Sequence, residues 1–423
     1  MPILKLTPAA ERHLLAARET HDLQAERVAA RIVADVRRRG DLALFAWARK
    51  LDQARLTSRT VWTSKAEMRA ARRNVSRAFL QAVEHAARNI RRVAEKQLPR
   101  PWTLEVESGV RLALKITPIE RVGCYVPGGR FSLVSTLLMT AIPAQVAGVR
   151  EIVAVCPRPN AELLAAADRL GIERLARVGG AQAIAALAYG TRSVPRVDKI
   201  LGPGNRFVTA AKQLVSGDCG IDLPAGPTEA VVLAARGNPE WIAADLLAQA
   251  EHAPDAAALL VTTSIELARA VRESARRQLA RLPRQNPAWR ALREAGAILL
   301  AKNLDQAIAF VNRFAPEHLS LPDETGLPGK RGNLLAKITA SGTVFVGPWA
   351  AQPHGDYATG SNHVLPTGGW ARARGGLSSA DLVKCITVQQ VSRKGSAALA
   401  PVVRALAQAE GLEAHARAAE VRA

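Results

Sequence analysis

From residue 121 onward the chain repeats one pattern: a short apolar run, then a helical stretch, at intervals of roughly two dozen residues. A first series of strand candidates covers residues 122–126, 152–156, 174–178, 199–201 and 220–223. A second covers 230–234, 259–262, 297–300 and 343–346. Strands joined through helices run parallel, because the crossover returns each strand to the same end of the sheet. The pattern therefore predicts an α/β fold with two Rossmann-like parallel-sheet domains. Both are incomplete as dinucleotide folds, since no GxGxxG occurs.

Three strand-to-helix turns are glycine-rich: Pro127-Gly128-Gly129, Gly179-Gly180-Ala181-Gln182 and Gly202-Pro203-Gly204-Asn205. Glycine lets a backbone turn tightly and a ligand come close. The helix behind such a turn offers free N–H groups to a phosphate. The same turns also serve as ordinary strand–helix connections. Before residue 121 the reading is helical. Ser64-Lys65-Ala66-Glu67 fits a capping box opening one helix to about Lys96. Residues 103–116 alternate around Gly109 and read as a hairpin. Residues 322–332 read as a loop, and the alanine-rich tail from Ala380 to Ala423 reads as helical.

Apolar residues make up 48% and charged residues 22%, the balance of a soluble globular chain. No apolar run reaches the ~20 residues of a membrane span, and the first residues lack a secretory signal; the expectation is cytoplasmic. Cys124, Cys156, Cys219 and Cys385 form no CxxC, which excludes a zinc ribbon or a thioredoxin-type motif. Cys156 reads as a buried thiol. Cys124, beside a glycine turn, could be a nucleophile but has no neighbouring His to lower its pKa. The net charge of +21 raises a nucleic-acid-binding reading. Against it, the arginines are spread along the chain and few aromatics interleave them.

Gln249 and His252, spaced i,i+3, share a face at the end of a helix closed by Pro254. Two ligands do not make a zinc site, which takes about four; alone they describe a capped surface helix. Pro316-Glu317-His318-Leu319 sets two proton carriers side by side, and both reach one substrate only at a bend or strand end. Residues 355–367 are dense in Gly, Asp, Asn and His. Asp356 there is a hard oxygen ligand, with His354 and His363 as competitors, or the stretch is a solvated loop. Glu410 and His415, five apart, lie on different faces of the last helical stretch. Gln249, His252, Asp356 and a histidine would suit zinc, but spacing alone does not select them.

These motifs, in order, resemble the histidinol dehydrogenase family. The likeness is carried by Tyr125-Val126-Pro127-Gly128-Gly129, Gly179 to Gly190, Val197-Asp198-Lys199-Ile200 with Gly202-Pro203-Gly204-Asn205, and Pro224-Ala225-Gly226-Pro227-Thr228-Glu229. Gln249-Ala250-Glu251-His252, Pro316 to Leu319, Gly355-Asp356-Tyr357 and Asn362 to Thr367 complete it. The resemblance implies zinc- and NAD-dependent oxidation of L-histidinol to L-histidine through bound L-histidinaldehyde, with two NAD per turnover. It implies a homodimer with shared sites and one zinc ion per subunit, held by Gln249, His252 and Asp356 of one chain and His415 of the other. Glu317 and His318 match the proton-transfer pair. Tyr125, Gln182 and Asn205 match NAD contacts. Substrate contacts fall to Thr228 and Glu410, together with His318 and the metal ligands. The family usually has Ser where Thr228 stands, and Trp370 to Gly376 is more basic than its pattern.

On this basis residues 1–20 form a helical arm. Residues 21–124 and 230–377 make a first α/β domain with the zinc and catalytic residues. Residues 125–229 make a second, with the NAD-contacting turns, and 378–423 a helical tail packed on the partner subunit. No membrane and no specific nucleic acid is expected as a partner. A related dehydrogenase of a sulfonated propanediol is the rival within the superfamily; retention of Glu410 and His415 favours histidinol.

Overall fold

The structure is a computed structural model and describes residues 1–18, 22–128, 132–224, 226–322 and 334–423. Gly129, Ala225 and residues 323–332 of the expected loop lie outside these. Strand β1 (Ile3–Lys5) opens the chain, followed by helix Pro8–Ala16. Helices Leu23–Arg39, Asp41–Asp52, Lys65–Ala71 and Arg77–Gln97 come next. The hairpin of β2 (Trp102–Glu107) and β3 (Val110–Pro118) turns at Gly109, whose φ of 80° favours glycine. Then β4 (Arg121–Tyr125), β5 (Glu151–Val155), β6 (Arg174–Ala176), β7 (Lys199–Leu201) and β8 (Gly220–Ile221) alternate with helices. The second series follows: β9 (Glu229–Leu233), β10 (Ala257–Thr262), β11 (Gly296–Leu300), β12 (His318–Leu321) and β13 (Thr343–Val346). Last comes β14 (Val383–Val391), ahead of helices Arg393–Ala409 and Glu413–Glu420.

Two parallel sheets result, as the repeat predicts. One has the order β6-β5-β4-β7-β8, the other β1-β11-β10-β9-β12-β13. In the first, β4 comes earliest in sequence and sits centrally, and the chain changes direction between β4 and β7. Doubly wound sheets take ligands beyond the strand ends at such a switch point. In the second, every residue of β9 (Glu-Ala-Val-Val-Leu) is buried, as a central parallel strand covered on both faces requires. An antiparallel sheet, β14-β3-β2, joins the hairpin to the tail.

Three expectations need correction. The tail is not wholly helical: β14 pairs with β3 over nine residues, from Val383 opposite Pro118 to Val391 opposite Val110. The arm begins with a strand, β1, pairing with β11. The long helix from Lys65 is two. The Ser64–Glu67 capping box forms, but a 3-10 turn at Arg72–Asn74 and an extended Val75 interrupt, and Ser76 caps the second helix. The helices between residues 23 and 97 pack over the five-stranded sheet, and Arg77–Gln97 also meets residues 230–377: Asn89 donates to the Ala358 carbonyl at 2.7 Å, and Ile90 shares a core with Val364 and Leu377. Ala25, Ala29, Ile32, Val33 and Val36 recur on one face of Leu23–Arg39 and meet Val153, Val155 and the alanine-rich helix Gly180–Tyr189. The second helix brings Val83, Ala86 and Ile90 to the sheet's other face. Each Val or Ile among them contributes about 1.5–3 kcal/mol on burial. Among the described residues no helix is long and apolar enough to cross a membrane.

Candidate active site

Helix Leu304–Phe314 ends at Ala315 in the left-handed region, φ 49°. The chain then turns through Pro316 and Glu317 and enters β12 at His318, which sits opposite Ala230 of β9. Glu317 is thus the last residue before the strand. That position answers the opposite-faces problem, since the pair straddles a strand start. Glu317 Oε2 accepts from Thr228 Oγ1 at 2.5 Å and from the Glu229 amide at 2.9 Å. His318 Nδ1 lies 3.9 Å from Glu317 Oε2, and its Nε2 lies 3.5 Å from Asp356 Oδ1. Both residues are buried, and among the described residues neither ring nitrogen of His318 has a hydrogen-bond partner.

Burial pushes the Glu317 carboxyl up, against His318, the Thr228 hydroxyl and the Glu229 amide. Burial works to lower His318, but Glu317 and Asp356 on either side outweigh it and raise it. Both directions favour a proton held within the pair. The arrangement provides an acid–base pair with an unengaged imidazole.

Gln249 lies in the last turn of helix Pro239–Ala250, buried, and its Nε2 donates to Thr228 Oγ1 at 2.7 Å. The amide nitrogen is taken, which leaves the carbonyl oxygen as the group for a cation. His252 follows the helix, exposed, its amide donating to the Gln249 carbonyl at 3.3 Å. Asp356 stands on a short helix, Gln352–Tyr357, where a polar loop was expected. Burial raises its carboxyl, but the neighbouring imidazoles, His318 first, outweigh it and hold it below the ordinary carboxylate value. His363 Nδ1 lies 3.0 Å from the Asp356 carbonyl, so this histidine supports the backbone of Asp356. His354 is exposed.

An amide oxygen, an imidazole and an ionised carboxylate form an N/O donor set that fits zinc. Among the described residues, no group of three or more His, Cys, Asp and Glu could hold a metal ion. The expected set takes only His252 and Asp356 of those types from one chain. His415 and Glu410 are exposed on the tail, and among the described residues no interaction joins either to Gln249, His252 or Asp356. The chain brings together three of the four expected ligands' neighbourhoods and leaves the tail residues apart.

At the switch point of the five-stranded sheet, Tyr125 ends β4 and its hydroxyl accepts from the Gly180 amide at 3.1 Å. Gln182 donates to Asp52 at 2.9 Å, while its buried Oε1 has no hydrogen-bond partner among the described residues. Asn205, exposed, caps helix Arg206–Val215 through Oδ1. Gly202, at the end of β7, has φ 106°, and a Cβ there would meet the Tyr125 carbonyl at 2.2 Å. An orphaned amide oxygen among glycine turns at strand ends fits a dinucleotide. Cys124 is fully buried and its thiol is pushed up to about 12 by burial, so the nucleophile reading falls; Cys156 is buried as expected. Sequence reasoning assigned no role to Glu229 or Arg18. Glu229, a carboxylate opening a fully buried strand, carried a signal; Arg18, one arginine among many, carried none.

Parallel sheets on two sides and a buried acid–imidazole pair at a strand start define an α/β enzyme. A family model described as histidinol dehydrogenase matches residues 15–423. The histidinol dehydrogenase of Halalkalibacterium halodurans is 46% identical over 397 residues, 92% of either chain. That of Methanopyrus kandleri is 46% identical over 408 residues, 93% of this chain and 92% of the relative. A crystal structure of histidinol dehydrogenase from Elizabethkingia anophelis superposes with a TM-score of 0.92 at 37% identity, covering 100% of this chain and 97% of that one. The chain belongs to the histidinol dehydrogenase family and is an oxidoreductase of histidine biosynthesis.

Proposed function

We propose that the protein oxidises L-histidinol to L-histidine through bound L-histidinaldehyde, with zinc and two NAD per turnover. The observation that carries this reading is the buried Glu317–His318 pair beside Gln249, Asp356 and Thr228. Zinc would be held by Gln249, His252 and Asp356, with His415 of a second copy, and would orient the substrate's nitrogens. NAD would lie along Tyr125, Gln182 and Asn205 and serve as hydride acceptor.

His318 takes the alcohol proton in the first oxidation. Glu317 activates water for hydration of the aldehyde, and His318 again acts as base in the second oxidation. Each such general-base contribution is about 10²–10⁴-fold. Thr228 holds Glu317 and Gln249 in place, and Glu410 of the second copy meets the substrate. The homodimer is supported by the tail, where Val402, Leu406 and Leu412 are exposed beside Glu410 and His415. The location proposed for the protein is the cytoplasm.

The test is NAD reduction with histidinol, before chelation, after it, and after zinc is returned. Activity lost to chelation and restored by zinc is expected. A zinc-loaded dimer that reduces no NAD with histidinol would overturn the reading.

A further inference from the structure

The N-terminal arm reaches the acid–imidazole pair through one buried arginine. The arm docks along helix Leu304–Phe314. Gln306 Nε2 donates to the Leu6 carbonyl at 2.9 Å, and Arg313 pairs with Glu11. Beyond the arm's helix, Arg18 turns inward. Its guanidinium carbon lies 3.7 Å from the Phe314 ring centroid. Nε donates to Glu229 Oε1 at 2.5 Å, Nη2 to Glu229 Oε2 and Nη1 to the Phe314 carbonyl. Glu229 Oε1 also accepts from the Gly368 amide at 3.2 Å. Arg18 and Glu229 are both buried.

The two groups bridged by Arg18 flank the catalytic pair. Glu229 is the residue whose amide donates to Glu317 Oε2. Phe314 closes the helix three residues before Glu317, just ahead of the left-handed Ala315. One forked cation thus fixes the start of β9 relative to the turn that launches β12. Arginine suits this place because its planar donors meet both carboxylate oxygens and a carbonyl at once.

We propose that Arg18 is a positioning residue for Glu317 and His318, so that docking of the arm sets the geometry of proton transfer. This rests on the function proposed above. A displacement of about 1 Å at reacting groups costs on the order of 10²-fold in rate. A purely structural buried pair would instead affect folding and leave turnover in the folded enzyme unchanged. Removing one partner leaves an uncompensated buried charge, whereas replacing both by apolar residues is often tolerated. That difference separates the two roles.

The experiment uses zinc-loaded dimers of the wild type, Arg18→Lys, Arg18→Met and the double variant Arg18→Met/Glu229→Met. For each, kcat and KM for histidinol, zinc content and melting temperature are measured. In Arg18→Met, kcat should fall roughly 10–100-fold with KM and zinc content within about twofold of wild type. Arg18→Lys should be intermediate. The double variant should regain melting temperature but not kcat. Wild-type kcat in folded Arg18→Lys, or recovery of kcat together with melting temperature in the double variant, would overturn the proposal and leave the functional reading standing. If Arg18→Met does not fold, the other two variants decide. A wild type inactive on histidinol sinks both readings.

Discussion

Thr228 donates to Glu317 at 2.5 Å with the same hydroxyl that accepts from Gln249 at 2.7 Å. A proton carrier and a metal-ligand candidate are therefore set by one oxygen. Thr228→Val keeps the shape and removes the hydroxyl, leaving Glu317 and the Gln249 amide each short of a partner. A lost hydrogen bond to a buried polar group costs about 1–3 kcal/mol. Histidinol turnover should fall by roughly 10–100-fold in Thr228→Val. Thr228→Ser, which retains the hydroxyl, should stay near wild type. Equal activity in Val and Ser variants would remove the hydroxyl from the site.

Glu317 and His318 should separate the two oxidations. With histidinol as substrate, His318→Asn should slow the first step by about 10²–10⁴-fold. Glu317→Gln keeps the Thr228 contact but cannot take a proton from water. Single-turnover rates on histidinol and on histidinaldehyde should show the second oxidation losing more. Equal loss in both would refute the division of roles.

His415 and His252 offer a test of sharing between chains. His415→Ala and His252→Ala homodimers should each lose bound zinc and activity. Mixed dimers should regain part of both, because one of their two sites then has every ligand intact. Metal analysis and NAD reduction report the recovery. No recovery, once subunit exchange is shown, would mean that each chain completes its own site.

Asp245 gives a pH dependence with a definite sign. It lies on the Gln249 helix, and burial pushes its carboxyl up to about 6, although the Gln352 amide and His354 pull it down. A carboxyl raised in the folded state binds its proton more tightly there than in the unfolded chain. Its contribution is full below pH 3.8 and is lost as pH rises through about 6. A shift of this size corresponds to at most about 3 kcal/mol. Asp245→Asn removes that loss, so the variant should gain melting temperature relative to wild type between about pH 4 and pH 7. A constant difference across that range would count against the assignment.

The repeat of strands and helices was legible because its central strands are dense apolar runs buried on both faces, as in β9 and β10. β12 was harder. It has four residues and begins with His318, so an imidazole replaced the apolar signal at its edge. β14 carried a β-branched signal in Val383, Ile386, Thr387, Val388 and Val391, but it lies against an alanine-rich helical tail that set the local pattern. The site divided in the same way. Glu317 and His318 are adjacent in sequence, so their proximity was readable. Thr228, Gln249 and Asp356 meet only through β9, a helix end and a separate short helix, and motif resemblance supplied what spacing could not. Arg18 was invisible because its partners lie 211 and 296 residues away.

The nine-residue pairing of β14 with β3 makes the tail a keyed strut, not a tether. Its helices leave the sheet at a fixed rotational phase. Strand side chains alternate faces, so inserting one residue between Leu382 and Val391 would reverse that phase. Every ligand and proton carrier named here would survive such an insertion, yet the tail would present its opposite side to whatever it meets. If the tail completes a partner's site as proposed, indel tolerance in this strand would report on that site as a point substitution does.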